Sequence, residues 1–347
     1  MPHPQSQRRP RIRTVVLVVL TAGLLWYFFR NVHFADVWRD MRQADLGLIV
    51  ATMASVFVTY VLRTWRWQLL LQPIGRARFG PSFRATIIGF TALFLLPGRV
   101  GEVLRAYLLA KEERLSFSAT FATIIVERLL DIAAVLLLFG YFLLSPDALA
   151  MGADFEIVKS LGAVAAAGSV VGLVLLFVCA GHPERLGRWA AGFGRILPAR
   201  LAAALAKVVQ AFAEGLAVMR RPWPLMGALA LSIPMWISIA VGIWLTTLAF
   251  DLTLSFLGSF LVVTFLVVGV ALPTPGGVGG FEAMYQVALT KFFGATDDKA
   301  VAAALVLHAV STFPVAIVGV VFMVRAGLSF GRLREMSDQA PGDKPEA

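Results

Sequence analysis

The hexapeptide VERLLD, Val126–Asp131, places Glu127, Arg128 and Asp131 inside a run of apolar residues. On a helix Glu127 and Asp131 are spaced i,i+4 and share a face, and Arg128 reaches Asp131 at i,i+3. Ionisable groups among hydrocarbon side chains are costly unless paired or hydrated, so they mark either a functional polar site or an ion-pair cluster that locks one helix to another. A second set, Arg99, Glu102 and Arg105, lies on or just after Pro97-Gly98, where an apolar run is interrupted. Guanidinium groups there suit a phosphate, whose oxygens match the guanidinium fork; for Arg105 the alternative is snorkelling to the interface. A third set follows LPTPGGVGGFE, Leu272–Glu282. Glu282 either titrates as a coupling group or caps loose N–H groups, with Tyr285 one turn on. His308 is a secondary candidate for a proton relay, a satisfied core histidine being the simpler reading. Arg63 and Arg66 of RTWRWQLLL are further secondary candidates, set against a plain Arg/Trp interfacial anchor.

The elements that must position these residues are membrane helices. The chain has 347 residues, 59% hydrophobic and 15% charged, with mean hydropathy +0.79; soluble domains sit nearer a quarter charged. Apolar blocks at Thr14–Phe29, Leu46–Leu62, Leu129–Leu144, Ser160–Ala180, Leu225–Phe250, Phe256–Leu272 and Ala300–Val324 approach the roughly 20 residues a spanning helix needs. The first, with Trp26 and Tyr27 as anchors, reads as a retained helix rather than a cleaved signal. Basic residues concentrate in 1–13, 63–84, 111–117, 181–223 and the tail from Arg325, whereas Arg30, Arg39, Arg42 and Lys299 fall on the opposite side. This predicts both termini in the cytoplasm.

That topology holds only if residues 84–110 and 256–293 enter the membrane and return. The arms of the first, about 13 and 10 residues, are too short to cross about 30 Å. Pro97-Gly98-Arg99-Val100-Gly101 matches Pro275-Gly276-Gly277-Val278-Gly279, and a glutamate follows each. Paired breaks entering from opposite faces are the sign of an inverted repeat. Gly98, Gly101, Gly276, Gly277 and Gly279 would let backbone N–H groups approach an anionic headgroup.

The expected fold is therefore an all-α polytopic membrane protein, an inverted repeat with six crossing helices and two re-entrant helical hairpins. Its expected parts are a basic N-terminus (1–13), a transmembrane domain (14–327, with halves at about 14–180 and 224–327), an amphipathic cytoplasmic linker (181–223) and a polar tail (328–347).

The net charge of +10 is explained by topology and anionic lipid, so no nucleic-acid partner is expected. The single cysteine, Cys179, belongs to no disulfide framework. There is no phosphate loop, GxSxG, HExxH or Cys/His set. The expectation is a protein with no catalytic residues, no cofactor and no metal, and not an enzyme; an intramembrane transferase or a scaffold is the alternative.

RTWRWQLLL, LPGRVGEVLRAYLLA, VERLLD and LPTPGGVGGFE occur in that order and resemble the signatures of the lysylphosphatidylglycerol synthase transmembrane-region family, over about Thr14 to Gly327. The resemblance implies a flippase-like domain moving a lipid between leaflets. It carries the family motifs onto Pro97, Gly98, Arg99, Gly101, Glu102, Arg105, Glu127, Arg128, Asp131, Pro273, Pro275, Gly276, Gly277, Gly279 and Glu282. Bifunctional members add a soluble synthase domain; the polar tail ending at Ala347 leads to the expectation that this chain does not itself make lysyl-lipid. The expected function is moving an anionic-headgroup lipid, a phospholipid or a polyprenyl-phosphate-linked lipid, across the cytoplasmic membrane of a prokaryote. Arg99, Arg105 and Arg128 would neutralise the headgroup. Glu102, Glu127, Asp131 and Glu282 would balance charge or couple a proton. A homo-oligomer or a lipid-synthesis protein is the expected partner.

Overall fold

The computed structural model describes residues 32–95, 100–151, 154–181, 222–272 and 274–327, with isolated positions between 19 and 29. The basic N-terminus, most of the first apolar block, Pro97, Gly98, Arg99, Pro273, nearly all of the amphipathic linker and the tail lie outside the described residues. In chain order the helices are α1 (Phe34–Gln43), α2 (Leu46–Leu71), α3 (Phe79–Leu95), α4 (Val100–Glu113), α5 (Phe117–Phe142), α6 (Pro146–Ala150), α7 (Asp154–Gly181), α8 (Pro222–Ala249), α9 (Gly258–Ala271), α10 (Gly280–Phe292) and α11 (Asp297–Arg325). No strand occurs among the described residues.

Three described helices, α2, Trp223–Ala249 of α8, and α11, are long and apolar enough to cross a membrane. α5 has the length, 26 residues or roughly 39 Å, but carries Glu127, Arg128 and Asp131 in its middle. The outward face of α11 shows what surrounds these helices. Phe313, Ile317, Val321 and Val324 are all exposed, at helical spacings of four, four and three. A stripe of bare hydrocarbon along one face is a liability in water and the normal surface in lipid.

Local chemistry sets the element boundaries. Ser116 caps α5 by accepting from the Ala119 N–H at 3.4 Å. Ser145 caps α6 in the same way from Ala148 at 3.2 Å, with Pro146 at the first helical position, where its missing N–H is not needed. α3 and α4 run 17 and 14 residues, longer than the arms expected from sequence. Pro81 sits in the first turn of α3, where proline is tolerated, so the helix begins upstream of Arg84. At the other end Arg84 pairs with Glu112 at 2.5 Å and Arg78 with Glu113 at 3.1 Å, which carries α4 past Ala110.

Packing divides the chain into two compact units. The first holds the N-terminal part to Ala54, the end of α3, and Ala240–Phe313. Within it α9 and α10 lie back to back: a Cβ on Gly269 would meet the carbonyl of Gly280, and one on Gly280 the carbonyl of Gly269. The second unit holds Ser55–Ala92, Val100–Ile239 and the chain from Pro314. Its core is built on Trp67, Leu70, Leu109, Val126 and Leu130. Inside it α3 and α4 approach closely at Gly89, where a Cβ would sit 2.7 Å from the Arg105 Cβ and 2.9 Å from the Gly101 carbonyl.

Candidate functional site: a buried arginine–carboxylate network

α2 carries Arg63 and Arg66 one turn apart, and both side chains are buried. α4 contributes Arg105, buried to 2% exposure, and α5 contributes Glu127 and Asp131 on one face. These residues meet inside the second unit. The Glu127 Oε1 oxygen accepts from Arg105 Nη1 at 2.9 Å and from Arg128 Nη2 at 2.5 Å, with Arg66 Nη2 at 3.3 Å and Arg63 Nη1 at 3.6 Å. Asp131 accepts from Arg66 Nη1 at 2.5 Å, and its other oxygen lies 3.2 Å from Arg128 Nη2 and 3.8 Å from Arg63 Nη1. The i,i+3 reach from Arg128 to Asp131 expected from spacing is thus present.

The network deepens from an open end to a sealed one. Glu102 lies 3.9 Å from Arg128, with side chains 21% and 33% exposed, whereas Arg66 and Glu127 are fully buried. Polar groups from neighbouring helices hold the deep end in place. The Ser232 hydroxyl of α8 accepts from Arg66 Nη1 at 3.0 Å and itself donates to the Ala228 carbonyl at 2.9 Å. Trp236 Nε1 donates to Asp131 Oδ1 at 3.0 Å. Arg105 lies 3.8 Å above the Trp67 ring, whose Nε1 donates to Thr123 Oγ1 at 3.0 Å. Replacing Trp67 by leucine removes this platform and its hydrogen bond. The expected loss is about 2 kcal/mol or more of unfolding free energy, read by thermal or denaturant unfolding in detergent.

The cations are not saturated by the carboxylates around them. Among the described residues Arg63 Nε and Nη1, Arg66 Nε and Nη2, Arg105 Nε and Nη2, and Arg128 Nε are buried without a hydrogen-bond acceptor, and Glu127 Oε2 and Asp131 Oδ2 are buried without a donor. Several of these sit at ion-pair distance but without hydrogen-bond geometry. Four guanidinium groups face two fully or nearly buried carboxylates, with Glu102 at the rim. Among the described residues Arg63 donates no hydrogen bond into the network; its guanidinium lies 4.8 Å over the Phe90 ring.

A second group forms within the first unit, at the PGGVGG break. Gly276, Gly277 and Gly279 have φ of 62°, 77° and 84°, the left-handed region that only glycine enters freely. Gly279 caps α10, its N–H donating to Glu282 Oε2 at 2.7 Å. The other carboxylate oxygen of Glu282 meets His308 Nδ1 at 2.6 Å, and His308 Nε2 meets the Gly276 carbonyl at 3.1 Å. Glu282 therefore does what its capping alternative required, and does more besides. Tyr285 is fully buried, and its hydroxyl has no hydrogen-bond partner among the described residues.

Several sequence alternatives change in this light. Arg105 does not snorkel; it points inward to Glu127. Arg63, Arg66 and Trp67 are buried, so of RTWRWQLLL only Trp65, 49% exposed, fits an interfacial anchor. Sequence reasoning missed Trp67, Ser232 and Trp236. The signal for the last two was available: a serine and a tryptophan either side of Pro234 in mid-helix, away from the ends where tryptophan usually anchors. It also missed a grouping of His33, Asp36 and Asp298, whose ligand atoms lie within 4.8 Å of one another. Those carboxylates already have partners: Asp298 accepts from the His33 N–H at 2.9 Å and Asp36 pairs with Arg39 at 2.8 Å.

These features define a helical integral membrane protein with an arginine-rich polar core. The chain belongs to the family described as the lysylphosphatidylglycerol synthase TM region, matched over residues 14–319. It is similar to a protein of Haloferax volcanii named glycosyltransferase AglD, 25% identical over 92% of this chain; the chain spans 56% of that relative's length. It is also similar to a UPF0104 membrane protein of Methanothermobacter thermautotrophicus, 24% identical over 88% of this chain and 93% of the relative. These findings correct the expectation of a protein that is not an enzyme. A relative aligned along nearly the whole chain is named a glycosyltransferase, and the family takes its description from a synthase.

Proposed function

We propose that the arginine network holds the anionic, phosphate-bearing headgroup of a membrane lipid, and that the protein moves that lipid between leaflets. The observation that carries this reading is the set of buried guanidinium donors left without acceptors. An unmade hydrogen bond at a buried donor costs about 1–3 kcal/mol, and phosphate oxygens arriving from the Arg128–Glu102 side would meet several at once. In this reading Arg63, Arg66, Arg105 and Arg128 receive the headgroup. Glu102, Glu127 and Asp131 balance the cations when no lipid is bound.

The architecture that goes with this reading is an inverted repeat of six crossings and two re-entrant hairpins within residues 14–327, with both termini in the cytoplasm. The short lengths of α3, α4, α9 and α10 support it, since α9, at 14 residues or roughly 21 Å, falls short of the roughly 30 Å hydrocarbon core.

A second reading is favoured by the name of the Haloferax relative: the same network holds a lipid phosphate while a sugar is transferred to or from it. One experiment separates the two. Purified protein in vesicles is given a tail-labelled anionic lipid, and both leaflet accessibility and lipid mass are followed, for wild type and Arg63→Gln. Movement without a change of mass, slowed at least about tenfold in the variant, which is the worth of one strong headgroup contact, supports the first reading. A change of mass supports the second. Neither movement nor mass change above protein-free vesicles contradicts both.

A further inference from the structure

The hydrogen bonds around His308 count protons. Nδ1 faces a carboxylate oxygen of Glu282 at 2.6 Å, and Nε2 faces the carbonyl oxygen of Gly276 at 3.1 Å. A carbonyl oxygen only accepts, and an ionised carboxylate only accepts. Both contacts are satisfied in two arrangements alone: imidazolium with carboxylate, or neutral imidazole protonated on Nε2 with a protonated Glu282. Each contains one proton more than neutral histidine beside ionised glutamate. From this geometry we infer that Glu282 and His308 together bind a single proton, and that this proton latches the PGGVGG turn to α11.

When the proton leaves for solvent, one N–H remains to serve two acceptors. The carboxylate is the stronger, because hydrogen bonds to ionised groups exceed those to neutral carbonyls. The remaining N–H therefore turns to Glu282 from Nδ1, and Nε2 is left with a lone pair against the Gly276 carbonyl. That carbonyl is released. Its residue lies in the left-handed region, and a Cβ there would stand 3.1 Å from the carbonyl of Phe94, so the latch also sets how the turn lies on the end of α3. The ring of Phe281 lies 4.6 Å from the His308 ring at 30° and holds the imidazole in plane with its partners.

Charges around the pair are sparse. The PGGVGG turn, α9 and the end of α3 contribute no ionisable side chain. α10 adds Tyr285 nearby and Lys291 nine residues from Glu282; α11 adds Asp297, Asp298 and Lys299, at least nine residues from His308. Nine residues is roughly 13 Å along a helix. Among the described residues the ion pair of each partner is with the other. The inference does not depend on which ligand the arginine network receives.

The test is hydrogen–deuterium exchange of the full-length protein from about pH 5 to about pH 9, corrected for the intrinsic pH dependence of exchange. The amides to follow are those of Gly277 and Gly279, which donate to the Thr274 carbonyl and to Glu282. Wild type should lose roughly tenfold protection, about the worth of one good hydrogen bond, through a single one-proton step as pH rises. Glu282→Gln and His308→Ala should lack the step, with α5 peptides reporting that the variants remain folded. A flat wild-type profile overturns the latch, as does a step that persists in either variant. Should a variant not fold, 15N-histidine spectra of wild type decide. A change of imidazole proton count or tautomer at the step supports the latch, and unchanged ring signals overturn it.

Discussion

Replacing Glu127 by alanine is expected to destabilise the protein by about 3–5 kcal/mol, the usual consequence of removing one partner from a buried ion pair. Its Oε1 oxygen is the shared acceptor of Arg105 and Arg128, with Arg66 at 3.3 Å and Arg63 at 3.6 Å. Without it Arg105 loses its carboxylate partner and Arg66 keeps Asp131 alone, and neither can retreat to water while α2, α4 and α5 stay packed. Glu127→Gln keeps the volume and one acceptor but not the charge, so its loss should be smaller. Arg63→Gln should stay within about 1 kcal/mol of wild type, because Arg63 makes no hydrogen bond to either carboxylate among the described residues, so only weak contacts at 3.6 and 3.8 Å are lost. Denaturant unfolding in one detergent ranks the three. An alanine variant as stable as Arg63→Gln would mean that the carboxylate does not hold the network together.

Gly269→Leu is the other large effect. Here the neighbour is the backbone carbonyl of Gly280, not a side chain that can rotate away, so α9 and α10 must separate along their whole contact. Overpacking in a filled site typically costs about 1–3 kcal/mol, and a collision with backbone belongs at or above the top of that range. Gly140→Ala is the control. Nothing lies within 4 Å of a Cβ at Gly140, so the exchange should be neutral or should stabilise α5 by up to about 1 kcal/mol. Melting temperatures of the two variants measured side by side should differ in sign or by many degrees; equal values would mean that α9 and α10 do not meet at these glycines.

What was legible in the sequence was whatever a short spacing encodes. Hydrophobic runs gave the helical membrane class, and VERLLD gave the Glu127, Arg128 and Asp131 face, because three- and four-residue spacings on one helix translate directly into distance. The break within Leu272–Glu282 was legible because proline and glycine act locally; Pro97-Gly98 lies outside the described residues. Partners from different helices were not. Arg63 and Arg66 stand in the sequence only as secondary candidates beside a plain interfacial anchor, since their composition matches a membrane interface, and only the fold shows them turned toward α5. Ser232 and Trp236 sit a hundred residues from the carboxylate side they serve, and no local pattern links such positions. The sequence offers Glu282 either as a cap or as a titrating group, while in the structure one oxygen accepts from Gly279 and the other meets His308, because the partner on α11 is 26 residues away. The expected catalytic silence also came from local motifs, and it did not survive comparison with relatives.

The central claim is that the arginine network is a site for a phosphate-bearing lipid headgroup. Native mass spectrometry of the purified protein tests it most directly, with wild type beside Arg63→Gln and Arg128→Gln and unfolding curves confirming that all three are folded. Arg63 and Arg128 suit the purpose because the first makes no hydrogen bond in the network and the second stands at its open end. Wild type should retain a phosphate-bearing lipid class that both variants lose or hold at least about tenfold more weakly, the worth of one charge-assisted contact. If all three proteins carry the same bulk lipids in the same proportions, the network is a structural lock and the claim is wrong.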